Sequence, residues 1–127
     1  MNRDSKKSIR PIIEGINAIS NKSIEERFQN ETLRPIIKLQ HELLVSYFKN
    51  YLISKKFKFQ GVSNLKKLEL ISKVFKKDNA FKSELKGIVI GHFTTQEFTL
   101  YCNTKSDFNK RILTIIQQRI TSIIDVF

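Results

Sequence analysis

The chain has 127 residues, 40% of them hydrophobic, which suffices for one core, and sets 23 Lys and Arg against 12 Asp and Glu for a formal charge of +11. One cysteine, Cys102, excludes an internal disulfide, and no window approaches the roughly 18 continuous apolar residues of a membrane helix. The polar start Met1-Asn2-Arg3-Asp4-Ser5-Lys6-Lys7 lacks the apolar stretch of a signal peptide, so a soluble cytoplasmic protein is expected, without transmembrane insertion.

Four glycines, two prolines and β-branched residues at helical spacing predict an all-α fold: a single compact bundle of five to six helices over residues 23–127. Residues 1–22 are polar and weakly patterned. They read as a flexible N-terminal arm, disordered or docked through Ile12, Ile13 and Ile16. Ser23 with Glu26 has capping-box spacing and predicts a helix start. The segment from Thr32 to Lys56 is the most regular, with Pro35 expected in a first turn, where its missing amide is harmless. Its apolar face centres on Leu33, Leu44 and Tyr51, opposite Lys38, Glu42 and Lys49. Gln40 falls near the middle of that face, as a structural hydrogen-bond node or a pocket residue. Arg-Pro-Ile-Ile occurs at Arg10 and at Arg34, but the following residues diverge and no repeat is inferred.

After a turn at Gly61, Ser63 caps a helix to about Lys77 that should bury Leu68, Ile71 and Phe75, with Lys66, Lys73 and Lys77 toward the other side. Asp78 caps a helix to about Phe93, and Thr94 with Glu97 repeats the capping-box spacing. The last helix should run from about Lys105 to Val126, burying Ile112, Ile116 and Ile123. The pair Gly87 and Gly91, one helical turn apart, predicts close approach of another helix. It lacks the lysine and hydroxyl ending of a phosphate loop and the third glycine of a dinucleotide site.

The chain offers no cofactor signature. Its metal-ligand candidates, His41, His92 and Cys102, show no His-x-x-x-His, Cys-x-x-Cys or Glu-x-x-His pairing. His41 flanks the long helix beside Phe48 and Leu52 and reads as packed. His92 reads either as a functional group or as a helix-end cation meeting the last carbonyls. A helix-turn-helix aligned on Gly87 and Gly91 puts Lys86 and Glu97 where apolar residues belong, which disfavours sequence-specific DNA reading.

The strongest signal is charge. From Lys49 to Lys86 eleven lysines face only Glu69, Asp78 and Glu84. Arginine is absent from that block, which favours phosphate contacts over base reading. The expected binding residues are Lys55, Lys56, Lys58, Lys66, Lys67, Lys73, Lys76 and Lys77, and the expected partner is nucleic acid or an acidic protein. An enzyme or ligand-binding pocket around Arg34, Gln40, His41 and His92 is the alternative, and self-association through the Ile-rich last helix is a third.

Residues Glu26 to Gln40, with Gly87-Ile88-Val89-Ile90-Gly91-His92-Phe93-Thr94, resemble a family of small uncharacterised bacterial proteins, some automatically labelled glyoxalase. The resemblance spans about residues 24–125. The label implies a metal enzyme of βαβββ units with His and Glu ligands, for which this chain has neither strands nor ligands, so the label is set aside. The resemblance points to Arg27, Gln29, Asn30, Arg34, Gln40 and the turn from Gly91 to Thr94 as the place for a shared site.

Overall fold

The computed structural model describes residues 3–13 and 23–127. Ser23 accepts the Glu26 amide on its hydroxyl at 3.1 Å and starts the first helix, as its spacing predicts. From there the backbone stays helical to Ser54, in three pieces: α1 (Ile24–Phe28), α2 (Arg34–Leu39) and α3 (His41–Ser54). A π-helical turn, Gln29–Leu33, joins the first two, and a one-residue break at Gln40 joins the last two.

Pro35 stands in the first turn of α2, as expected, but the chain is already helical before it, through the π-helical turn. In a regular helix the proline ring would press on the carbonyl four residues back. The wider turn, in which the Arg34 amide reaches Gln29 O, removes that conflict. It also resets the helical phase, so that Phe28, Leu33, Ile36 and Ile37 are all buried. At Gln40 the backbone leaves the helical range (φ −91°, ψ 12°) and Leu44, Phe48 and Leu52 then continue the buried face.

The chain then folds through α4 (Asn64–Lys77), α5 (Asn79–Ile90), α6 (Thr95–Asn103) and α7 (Lys105–Ser122). Their caps are those the sequence predicts: Ser63 accepts from the Lys66 amide, Asp78 from the Phe81 amide, and Thr94 forms a reciprocal capping box with Glu97. The broken rod and these four helices enclose one core with two aromatic centres. Phe48 meets Phe59, Phe81 and Phe127 in one, and Phe28 meets Phe93 and Phe108 in the other. Such contacts favour tilted and edge-to-face geometries, which fix helix orientation beyond simple burial. Among the described residues there is no strand, and no helix is long and apolar enough to cross a membrane.

Three expectations about packing change. On α4 the buried face centres on Lys67, Ile71, Val74 and Phe75, which leaves Leu68 at its edge, 39% exposed. Helix α7 ends at Ser122, so Ile123 is only half-buried while Ile115 and Ile120 join Ile112 and Ile116 in the core. Among the described residues nothing from another helix lies where a side chain at Gly87 or Gly91 would begin. A Cβ at Gly87 would meet nothing within 4 Å, and one at Gly91 would meet only backbone oxygens of its own helix.

The arm is docked by arginines rather than isoleucines. Arg3 donates to the carbonyls of Gly91 and Phe93 at 2.8 and 3.0 Å, and Arg10 donates to that of His92 and to the Glu97 carboxylate. These carbonyls lie in the turn just past the end of α5, whose last-turn carbonyls at Gly87, Val89 and Ile90 are met by the amides of Gly91, His92 and Phe93. Ile12 is 87% exposed, Ile13 is half-buried, and Ile16 lies outside the described residues.

Candidate nucleic-acid interface

Helix α4 carries the densest part of the lysine block. Its solvent half presents Lys66, Lys73, Lys76 and Lys77 with one acid, Glu69, all exposed. Residues 66, 73 and 77 fall within about 40° of one another around the helix and span about 16 Å along it. Lys55, Lys56 and Lys58 are exposed in the connection before α4, flanking Phe57, itself 36% exposed. That connection leaves α3 through a left-handed residue, Lys56 (φ 60°), with Phe57 N bonded to Leu52 O, a helix-ending motif usually built on glycine.

Among the described residues none of these lysines is ion-paired; the two ion pairs are Arg10–Glu97 and Arg111–Asp107. Lys55 is the most engaged of the exposed set. Its ammonium lies 5.9 Å from the Tyr51 ring centre and close enough to Asp78 to stabilise that carboxylate. Asp78 is held below the usual carboxylate range by the Tyr51 hydroxyl first, then by the Phe81 amide. The same contact, after burial, pushes the Tyr51 hydroxyl up to about 12, so this pair ties α3 to α5.

Lys67 does not belong to the interface. It is 8% exposed, its ammonium donates to the Phe127 carbonyl at 3.3 Å, and it sits 5.7 Å from the Phe59 ring centre. It lies on the inward side of α4, where its stem packs and its charge reaches the chain end. A partner 60 positions away is invisible to a local pattern, so only the helix phase, inward at 67, could have flagged Lys67.

The residues of the expected pocket separate into two groups on either side of the broken rod. Gln40 pairs with His92, Nε2 to Nε2 at 2.5 Å. Since an amide nitrogen only donates, His92 Nε2 is the acceptor and its proton is on Nδ1, which is buried without a partner. Burial, then the charges of Lys6, Arg10 and Arg3, hold the His92 pKa below its ordinary value. His92 is therefore a neutral joint between the rod and α5. The carbonyls just past the helix end are met by Arg3 and Arg10 instead.

Beside this joint lies Glu97, 7% exposed, which takes two bonds from Arg10 at 2.7 and 2.8 Å, one from the Thr32 hydroxyl at 3.1 Å and one from the Thr94 amide at 2.8 Å. Burial pushes its carboxyl up, but the Arg10 bonds, the Thr94 and Thr32 bonds and the Arg10 charge outweigh it and hold the group below its ordinary range. A carboxylate so saturated is a structural clasp, with no lone pair left for proton transfer. Neither Arg10 nor Glu97 stands out in the sequence as a pair, since 87 positions separate them.

On the other side, His41 Nδ1 accepts from Arg119 Nη1 at 3.3 Å, and Arg34 donates through Nε to Asn30 Oδ1 at 3.2 Å. Among the described residues no group of three or more His, Cys, Asp and Glu side chains could hold a metal ion, and Cys102 is exposed and free. We find no match to this chain among family models, curated proteins or solved structures.

Proposed function

We propose that this chain is a non-enzymatic module that binds the phosphate backbone of nucleic acid with low sequence specificity, through the solvent face of α4 and the connection before it. The observation that carries this reading is that seven of the eight expected lysines, all but Lys67, are exposed and without ion pairs among the described residues. Three of them stand in a line. Their axial spacings, about 10 and 6 Å, are close to three and two nucleotide steps of about 3.4 Å per strand. Lysine heads act as mobile point charges, which suits neutralisation of successive phosphates better than recognition of a base edge. Phe57, between Lys56 and Lys58, supplies an aromatic face for an unpaired base, which favours single strands.

Self-association through the last helix has less support, because Ile112, Ile115, Ile116 and Ile120 lie in the core. The pocket reading loses its four-residue arrangement, since Gln40 and His92 form one pair and His41 contacts Arg119 instead.

The test is binding of a single-stranded oligonucleotide across a salt series, compared with Lys66→Glu/Lys73→Glu/Lys77→Glu. Affinity of the wild type should fall steeply with salt, and the triple variant should flatten the slope of log K against log salt by about 2 to 3. A salt-insensitive wild type, an unchanged slope in the variant, or preference for polyglutamate over the oligonucleotide would refute the proposal.

A further inference from the structure

Five arginines of this molecule show two different habits. Arg3, Arg10 and Arg111 each bond two acceptors or more, with a carboxylate or backbone carbonyls among them: backbone carbonyls for the first, the Glu97 carboxylate and a carbonyl for the second, whose Nε alone is buried without a partner, and Asp107 and Gln29 for the third. Arg34 and Arg119 do not. Among the described residues Arg34 makes a single bond, through Nε, to the neutral Asn30 amide. Among the described residues Arg119 makes a single bond, to the His41 ring, and its Nε, like that of Arg10, is buried without a partner. Burial, then the charge of Arg34, depress the Arg119 pKa, which marks the two guanidinium groups as neighbours that repel. A half-buried pair of like charges, each retaining unused donors, is unfavourable unless an anion completes it.

Beside them is an open hollow of about 260 Å³ between the rod and α7, to which Arg34, Lys110, Arg111, Thr114 and Gln118 contribute. The lone carboxylate in its lining is Asp107, already held by Arg111 at 2.9 Å. The remaining polar groups can all donate: Arg34 through its two terminal nitrogens, Lys110, the Thr114 hydroxyl and the amides of Gln29 and Gln118, the Gln29 oxygen being held by Arg111. We propose that this hollow, with Arg119 at its flank, is a binding site for a phosphate group. Phosphate fits because planar guanidinium forks bond oxyanions two at a time, the arrangement for which lysine is poorly suited. The site stands apart from the α4 surface in place, and it adds arginine to a single lysine, Lys110, where the α4 surface has lysine alone.

The experiment is thermal melting of the full chain in increasing sodium phosphate, against sodium chloride and sodium acetate at matched ionic strength and pH. Glycerol 3-phosphate forms a second phosphate arm, and the stronger of the two phosphate responses says whether free phosphate or a phosphate ester is preferred. Wild type should gain Tm with phosphate in a saturable way, and chloride and acetate should leave it level. Arg34→Gln and Arg119→Gln should raise the midpoint phosphate concentration by at least about tenfold, the loss expected for one charge-assisted contact. The Lys66→Glu/Lys73→Glu/Lys77→Glu variant should keep the wild-type midpoint, so this site and the α4 interface succeed or fail separately. In chloride both arginine variants should melt no lower than wild type, because each relieves repulsion. If Arg119→Gln nonetheless fails to fold, Arg34→Gln carries the test, since its wild-type side chain bonds only Asn30 on its own rod. Equal melts in phosphate and chloride, an acetate response matching that of phosphate, or unchanged midpoints in the folded variants would overturn the site.

Discussion

His92 shows how a single side chain is defined by what surrounds it. Its sequence position at a helix end suggests a cation over terminal carbonyls, yet three basic groups of the arm are near it and two of them take that task. The histidine is left neutral, accepting from Gln40. Its pKa in the fold is below the ordinary 6.5, so the unfolded chain binds the proton more readily. Stability should therefore be full above about pH 6.5 and fall on acidification toward the lower folded value. Urea melts between pH 8 and 5 should show this decline, and His92→Gln should flatten it; a decline of the same size in the variant would show that other groups carry it. Gln40 was legible as a polar residue on an apolar face, and its two readings reduce to a hydrogen-bond node. Its partner was not legible, because 52 positions separate the two.

Helices were the most readable elements. Caps depend on side chains within three residues of the helix start, and Ser63, Asp78 and Thr94 each act as local chemistry predicts. The errors arise where tertiary packing sets the phase. Leu68 and Lys67 are adjacent on α4, and hydrophobicity alone assigns the leucine inward, whereas the helix is rotated to place the lysine there. Pro35 does open α2 as the local rule expects, but the π turn before it, which lets the rod continue through the proline, has no such local signal. Gly87 gives this scale its prediction. It lies within α5, is exposed, and has no close neighbour at the Cβ position. Gly87→Ala should then stabilise the protein by about 0.5 to 1 kcal/mol through reduced backbone entropy of the unfolded chain. A chemical melt showing destabilisation would mean that a tighter approach exists at this helix than the structure gives.

For the molecule as a whole, the arm is a component of the fold rather than an appendage. Arg10 and Glu97 leave only 6% and 8% of their side chains exposed, and the pair joins residues at opposite ends of the sequence around Thr32 of the rod. Arg10→Ala should cost about 3 kcal/mol in urea melts, at the lower end for removing one partner of a buried pair, because water can reach Glu97 if the arm lifts. A loss under about 1 kcal/mol would show the arm to be dispensable. The same clasp sets acid sensitivity. The Glu97 carboxyl is depressed in the fold, so its contribution is present above its ordinary 4.5 and disappears as pH falls through the lower folded value. The net charge of +11 grows over the same range, adding self-repulsion to the loss. None of this architecture was readable from spacing, since the arm carries no periodic pattern, yet its charged residues decide where it rests.

The wide turn at Gln29–Leu33 makes the length of this stretch as constrained as its composition. Excising one residue there would close the turn to a uniform spiral and leave Leu44 and Phe48 near their present angle to Phe28, since the turn already holds about one residue more than a regular one, but it would press the Pro35 ring onto the carbonyl four residues before it. Replacements at the exposed Glu31 leave that count intact and are tolerable, whereas a one-codon deletion beside it would bring back the proline conflict that the extra residue relieves.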